Sequence, residues 1–178
     1  MTTVLGADLG YATCGLALLR SEGQRWEATA LETLRTRPGQ PLAARLHVVW
    51  ARVHEIMESI HGPPDLLAVE AQARAQAGHR ERGTTSDEAV AVREVTGLLR
   101  ALGWQYGVPL VEVEPATWRA CLGLPRTADK AQVKRPVLAR IGPWSGRLSE
   151  HAADAAAVAL AGARVAPTEK WRTGGRSR

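Results

Sequence analysis

Apolar residues change their period near residue 41, and that change restricts the chain to folds that combine a sheet with helices. Before it the apolar runs are short: Val4 to Asp8 ends at Gly10, Gly15 to Leu19 follows a brief polar or small connection, and Trp26 to Leu34 precedes Pro38 and Gly39. Runs of that length between turn residues read as strands, here three in a meander. After Pro41, Leu42, Leu46, Val49, Val53, Ile56 and Ile60 recur at alternating spacings of four and three, the signature of one buried helical face. Gly62, Pro63 and Pro64 stop that helix, and Leu66 to Val69 reads as a buried strand ending at Glu70. Thr85 and Glu88 form a capping-box pattern that starts a second helix, which continues through Val92, Val95, Leu99 and Leu102 until Gly107 and Pro109.

The remaining elements follow the same logic. Leu110 to Val113 predicts a fifth strand, and Pro115 suits the first turn of a short helix through Cys121, because a first-turn residue needs no amide partner. A helix over residues 127–141 should kink or break at Pro136. An Ala-rich helix is expected from Ser149 to about Ala163, and the segment from Arg74 to Thr84 reads as a mobile loop. This order of elements indicates an α/β layered domain with a five-stranded mixed sheet flanked by helices.

At 178 residues and 45% hydrophobic content the chain suffices for one core, so residues 1–163 are expected to form one domain and residues 164–178 a basic, flexible tail. Lys and Arg total 23 against 18 Asp and Glu, giving a pI near 9.9 and a field that attracts polyanions, nucleic acid first among them. Charge of this size also serves solubility alone, so it decides nothing by itself. Cys14 and Cys121 make no CxxC pair, which argues against a disulfide scaffold or zinc finger and fits a reducing cytoplasm. The start MTTVLGADLG has no signal-peptide pattern, and no segment approaches the ~18 apolar residues of a membrane span. Without Phe, the core must come mainly from Ala, Val and Leu, with Trp118 and Trp144 assigned to packing. His47, His54 and His61 recur every seven residues and read as surface or interface positions.

Three carboxylates resist a purely structural reading: Asp8 and Glu70 end apolar strands, and Asp154 lies inside the Ala-rich helix. Each would be costly to bury unpaired. If the two strands are neighbours and the last helix crosses their ends, the acids converge where a divalent cation would offset their repulsion. His151, three residues before Asp154, shares its helical face. Taken singly, Asp8 can cap a turn, Glu70 can bond loop amides and His151 can be an exposed helix residue; jointly the pattern favours metal binding.

The segments GADLGYATCGLAL, LLAVEAQ, TADKAQV and HAADAAAVALAGA, in that order, resemble the motifs of RuvC-type Holliday junction resolvases over residues 4 to about 163. The resemblance implies a ribonuclease H-like nuclease fold, a homodimer, and hydrolysis of two symmetrically placed phosphodiesters in four-way junction DNA. It matches Asp8, Glu70 and Asp154 to metal-binding acids, with His151 where many members have Asp. Lys130 and Arg119 match basic positions that contact or stabilise the reacting phosphate. Such a site holds two divalent cations, Mg²⁺ or Mn²⁺, flanking the phosphorus. Further DNA contacts are expected from Arg74, Arg80, Arg82, Arg126 and Lys134, with Arg135, Arg172, Arg176, Arg178 and the stacking candidate Trp171 as less specific additions. The aromatic residue that often follows the second acid in the family is replaced by Ala71, Gln72 and Ala73. A branch-migration partner is compatible with the family but not readable in the chain.

Three other readings compete. A related ribonuclease H-like nuclease acting on structured RNA or an RNA/DNA hybrid shares the metal chemistry. An actin-like phosphotransferase could use the DLGYATCG turn for ATP phosphates, but it needs a duplicated domain and a second phosphate motif that this sequence lacks. A non-catalytic junction-binding protein would have no need of the acids.

Overall fold

Alternation along the first strand assigns its side chains to two layers. In β1 (Thr2–Leu9), Val4, Gly6 and Asp8 face one side and Leu5, Ala7 and Leu9 the other. β2 (Thr13–Glu22) and β3 (Arg25–Arg35) continue from it as an antiparallel meander, while β4 (Leu66–Glu70) and β5 (Leu110–Val113) add in parallel. The sheet order is β3-β2-β1-β4-β5. This computed structural model describes residues 1–10, 12–37, 39–71 and 86–166, with residues 86–89 described by backbone alone.

Helices α1 (Leu42–Met57) and α2 (Ser86–Tyr106) cover the Leu5 face, where Val49, Val53, Val95 and Leu99 meet Leu16, Leu67 and Val69. The opposite face carries α3 (Pro115–Cys121), α4 (Lys130–Ile141) and α5 (Glu150–Val165). There α5 lies directly on β2, β1 and β4, and every residue from Ala152 to Gly162 is buried. Small residues on both partners make that approach possible. A Cβ on Gly6 would overlap the Ala155 carbonyl, one on Gly15 would overlap the His151 carbonyl, and one on Gly162 would sit 2.5 Å from Ala68 Cβ.

The strands and helices follow the expected order, with four local differences. α1 ends at Met57, so Ile60 lies past the helix and is 96% exposed rather than part of its buried stripe. α4 starts at Lys130 because Asp129 caps it: Asp129 Oδ1 accepts from Gln132 N at 2.9 Å, and Gln132 Oε1 accepts from Asp129 N at 3.0 Å. The same helix continues through Pro136 instead of breaking, since buried Val133, Val137 and Ile141 hold its face across the lost backbone bond. Trp118 is core as expected, whereas Trp144 is only half-buried and rests beside Gly146. The expected loop over residues 74–84, the Thr85 cap, Gln72, Ala73 and the tail residues Trp171, Arg172, Arg176 and Arg178 lie outside the described residues. Among the described residues no helix is long and apolar enough to cross a membrane.

Candidate active site

Strand register brings the first two acids side by side. β1 and β4 run parallel with Ala7 opposite Val69, so Asp8 and Glu70 leave the same end of adjacent strands, and both fall on the α5 face. The third acid comes from α5. Ser149 caps that helix by accepting from Ala152 N at 3.0 Å, and its hydroxyl is hydrogen-bonded to Thr33 on the edge strand β3. Tied there, the first turn of α5 presents His151 to Asp8, whose Oδ2 lies 2.8 Å from His151 Nδ1. In the neutral imidazole whose Nδ1–H donates to Asp8, Nε2 carries the lone pair. Asp154 follows one turn later and is buried.

The acids act on one another electrostatically. Burial, then Asp8 and Asp154, push the Glu70 carboxyl up to about 7, while Arg119 and the Trp118 indole favour its ionised form. Burial and then Asp8 push Asp154 up to about 6, opposed by Lys130, His151 and Arg119. The Trp118 indole N–H nonetheless has no completed hydrogen bond, so it sits beside Glu70 without reaching full bonding geometry. Arg119 is stacked on that indole, its guanidinium carbon 4.4 Å from the ring centre. Cys14, buried on the opposite face of the sheet beside Leu9, has its thiol pushed up first by burial and then by Asp8, which keeps it neutral.

The sequence-predicted residues therefore divide into two groups. Asp8, Glu70, Asp154 and His151 come together, with Lys130 and Arg119 close enough to bias the carboxyls. Arg126 is exposed in the turn before α4 and Lys134 is half-buried on α4, and neither is among the charges that shift Glu70 or Asp154. Arg74, Arg80 and Arg82 lie outside the described residues. Sequence reasoning missed Trp118 as a site neighbour and the Thr33–Ser149 tie. A Trp directly preceding the matched Arg119 was a signal for the first; nothing local signalled the second, which joins positions 116 residues apart.

Among the described residues no three His, Cys, Asp or Glu side chains stand close enough together to hold a metal ion as they are placed. The donor set still fits a hard divalent cation. Three carboxylates act on one another, two of them held toward neutrality first by burial and then by the neighbouring acids, and the buried Asp154 Oδ1 has no hydrogen-bond partner. A cation between them would offset the repulsion and engage that oxygen.

A meander extended by two parallel strands, with acids at the ends of its two central strands and on the helix across them, defines a metal-dependent nuclease of the ribonuclease H-like class. Residues 4–162 match the family crossover junction endodeoxyribonuclease RuvC, and the chain belongs to that family. It is 28% identical over 169 residues to the crossover junction endodeoxyribonuclease RuvC of Moorella thermoacetica, covering 95% of this chain and 93% of that one. The structure of Thermus thermophilus RuvC superposes with a TM-score of 0.74 at 27% identity, over 90% of this chain and 93% of that one. The T. thermophilus RuvC in complex with Holliday junction substrate gives 0.73 at 26% identity, over 90% and 92%.

Proposed function

We propose that the protein resolves four-way DNA junctions by hydrolysing two symmetrically placed phosphodiesters, one in each site of a homodimer, and that it acts in the cytoplasm. The convergence of Asp8, Glu70, Asp154 and His151 on one spot supports the hydrolytic part of this reading, and membership of the RuvC family supports the junction as substrate. Among the described residues each chain has one such site, whereas a two-fold symmetric four-way junction presents two equivalent scissile positions, so a two-fold dimer matches substrate symmetry.

The four converging residues would hold two divalent cations, Mg²⁺ or Mn²⁺, which supply positive charge on both sides of phosphorus and activate water when bound. Asp8 orients His151 through Nδ1 and keeps its second oxygen for metal; His151 offers Nε2. Lys130, exposed at the first position of α4, brings an ammonium toward the Asp154 side, where charge builds on the phosphorane. Arg119, braced against Trp118, is placed to fix a phosphate oxygen, since its planar donors are already oriented. Arg126, Lys134, Arg74, Arg80 and Arg82 would extend phosphate contacts along the DNA arms. Residues 1–163 would form the nuclease domain and the basic segment beyond it an accessory contact.

Asp8→Asn, Glu70→Gln and Asp154→Asn test the site. Each should lower single-turnover junction cleavage at least about a hundredfold while leaving junction affinity in gel shifts near wild type, because metal-binding charge is lost and basic contacts stay. Near-wild-type turnover in any one of them would remove that residue from the site.

A further inference from the structure

Buried polar atoms without a hydrogen-bond partner gather around the acidic site: Trp118 Nε1, Arg119 Nε and Asp154 Oδ1. The first is the least expected. Trp118 is 2% exposed, and a buried donor left unpaired carries a cost that a ring without a polar atom would avoid. The backbone explains why the indole lies where it does. Glu70 pairs with Val113 in the β4–β5 ladder, Ala71 N donates to Val113 O at 2.9 Å, and α3 begins two residues later at Pro115. Trp118 occupies the first turn of that helix, on the α5 face that also carries Glu70. Arg119 covers the indole while Ala residues of α5 pack in the same cluster, so the ring is held in place.

We propose that Trp118 is a positioning residue for Glu70: its indole N–H donates to one Glu70 carboxylate oxygen when that carboxylate engages a divalent cation, and so directs the other oxygen to the metal. This rests on the reading of Glu70 as a cation ligand. The indole lies close enough to favour the ionised Glu70 carboxylate, yet its N–H completes no hydrogen bond. A core tryptophan whose N–H served packing alone would show no response to metal.

The test uses the full-length protein without DNA. Titration with Mg²⁺, followed by the ¹H–¹⁵N signal of the Trp118 indole, should move that signal downfield and saturate with the cation-induced rise in melting temperature. Trp118→Phe keeps an aromatic ring and removes the donor. Its melting temperature in EDTA should fall by what a smaller ring in the core costs, and its Mg²⁺ affinity, read from the further shift on adding cation, should weaken about tenfold. A stationary indole signal during a saturating rise in wild-type melting temperature would overturn the proposal, and so would equal Mg²⁺ affinities in the two proteins. If Trp118→Phe fails to fold, the wild-type titration decides alone. If wild type gains no stability from Mg²⁺ or Mn²⁺, the metal reading of Glu70 itself falls, and this inference with it.

Discussion

Glu70 and Asp154 hold protons that the same carboxyls would release in water, and this gives the metal-free protein a defined pH dependence. Their ordinary values of 4.5 and 3.8 rise to about 7 and about 6 in the fold. Between these limits the folded state binds more protons than the unfolded chain, so stability falls as pH rises from about 4 to 7. Thermal melts in EDTA should therefore give a higher melting temperature near pH 5 than near pH 7.5, apart from background titration that Glu70→Gln and Asp154→Asn controls remove. Cations compete with those protons, so stabilisation by Mg²⁺ should be larger at pH 7.5 than at pH 5. His151 supports a second prediction. A nitrogen donor suits Mn²⁺ better than Mg²⁺, which prefers oxygen. Cleavage should be faster with Mn²⁺ than with equal Mg²⁺, and His151→Asp should shift the ratio toward Mg²⁺; an unchanged ratio would assign His151 to hydrogen bonding rather than ligation. At this scale the acids were legible because a carboxylate ending an apolar strand or interrupting an Ala run has no packing rationale. Trp118 was not, since a buried Trp satisfies every packing rule and its neighbour Glu70 lies 48 positions away.

Helix α5 sets the geometry of the site because its seating depth on the sheet fixes where His151 and Asp154 meet Asp8. Gly15 is a direct test: a methyl there meets the His151 carbonyl and the Ala152 amide, which are backbone atoms that cannot rotate away. Gly15→Ala should cost about 3 kcal/mol in urea unfolding and reduce cleavage further than stability alone explains, because α5 must lift from β2. Gly97 supplies the contrast. It is exposed inside α2 with nothing near its missing Cβ, so Gly97→Ala should stabilise by about 0.5–1 kcal/mol with cleavage unchanged. A similar loss from both would show that helix seating is not what Gly15 serves. Element order and type were readable from periodicity, while the exceptions had tertiary causes. Pro136 breaks a local rule yet its helix persists on buried Val133, Val137 and Ile141, and Ile60 continues a spacing after its helix has ended. Gly6 and Gly15 fell inside strand runs in the sequence; their use in admitting a helix requires knowing which helix lies above them.

Two helical layers enclose a mixed sheet, with Asp8 and Glu70 at one end of the adjacent inner strands β1 and β4 and Asp154 on the helix across them. The shared metal chemistry does not choose between a junction, a duplex and an RNA/DNA hybrid; substrate shape does. Membership of the RuvC family and the match to T. thermophilus RuvC over 90% of this chain favour the junction. The decisive measurement incubates the protein with a four-way DNA junction, a matched linear duplex and an RNA/DNA hybrid, each with Mg²⁺, Mn²⁺ or EDTA, and maps cleavage on every strand. Paired nicks at symmetric positions on two opposing strands of the junction, dependent on cation and absent from duplex and hybrid, are the predicted result. Equal or preferential cleavage of the hybrid, or junction cleavage that persists in EDTA, would contradict it.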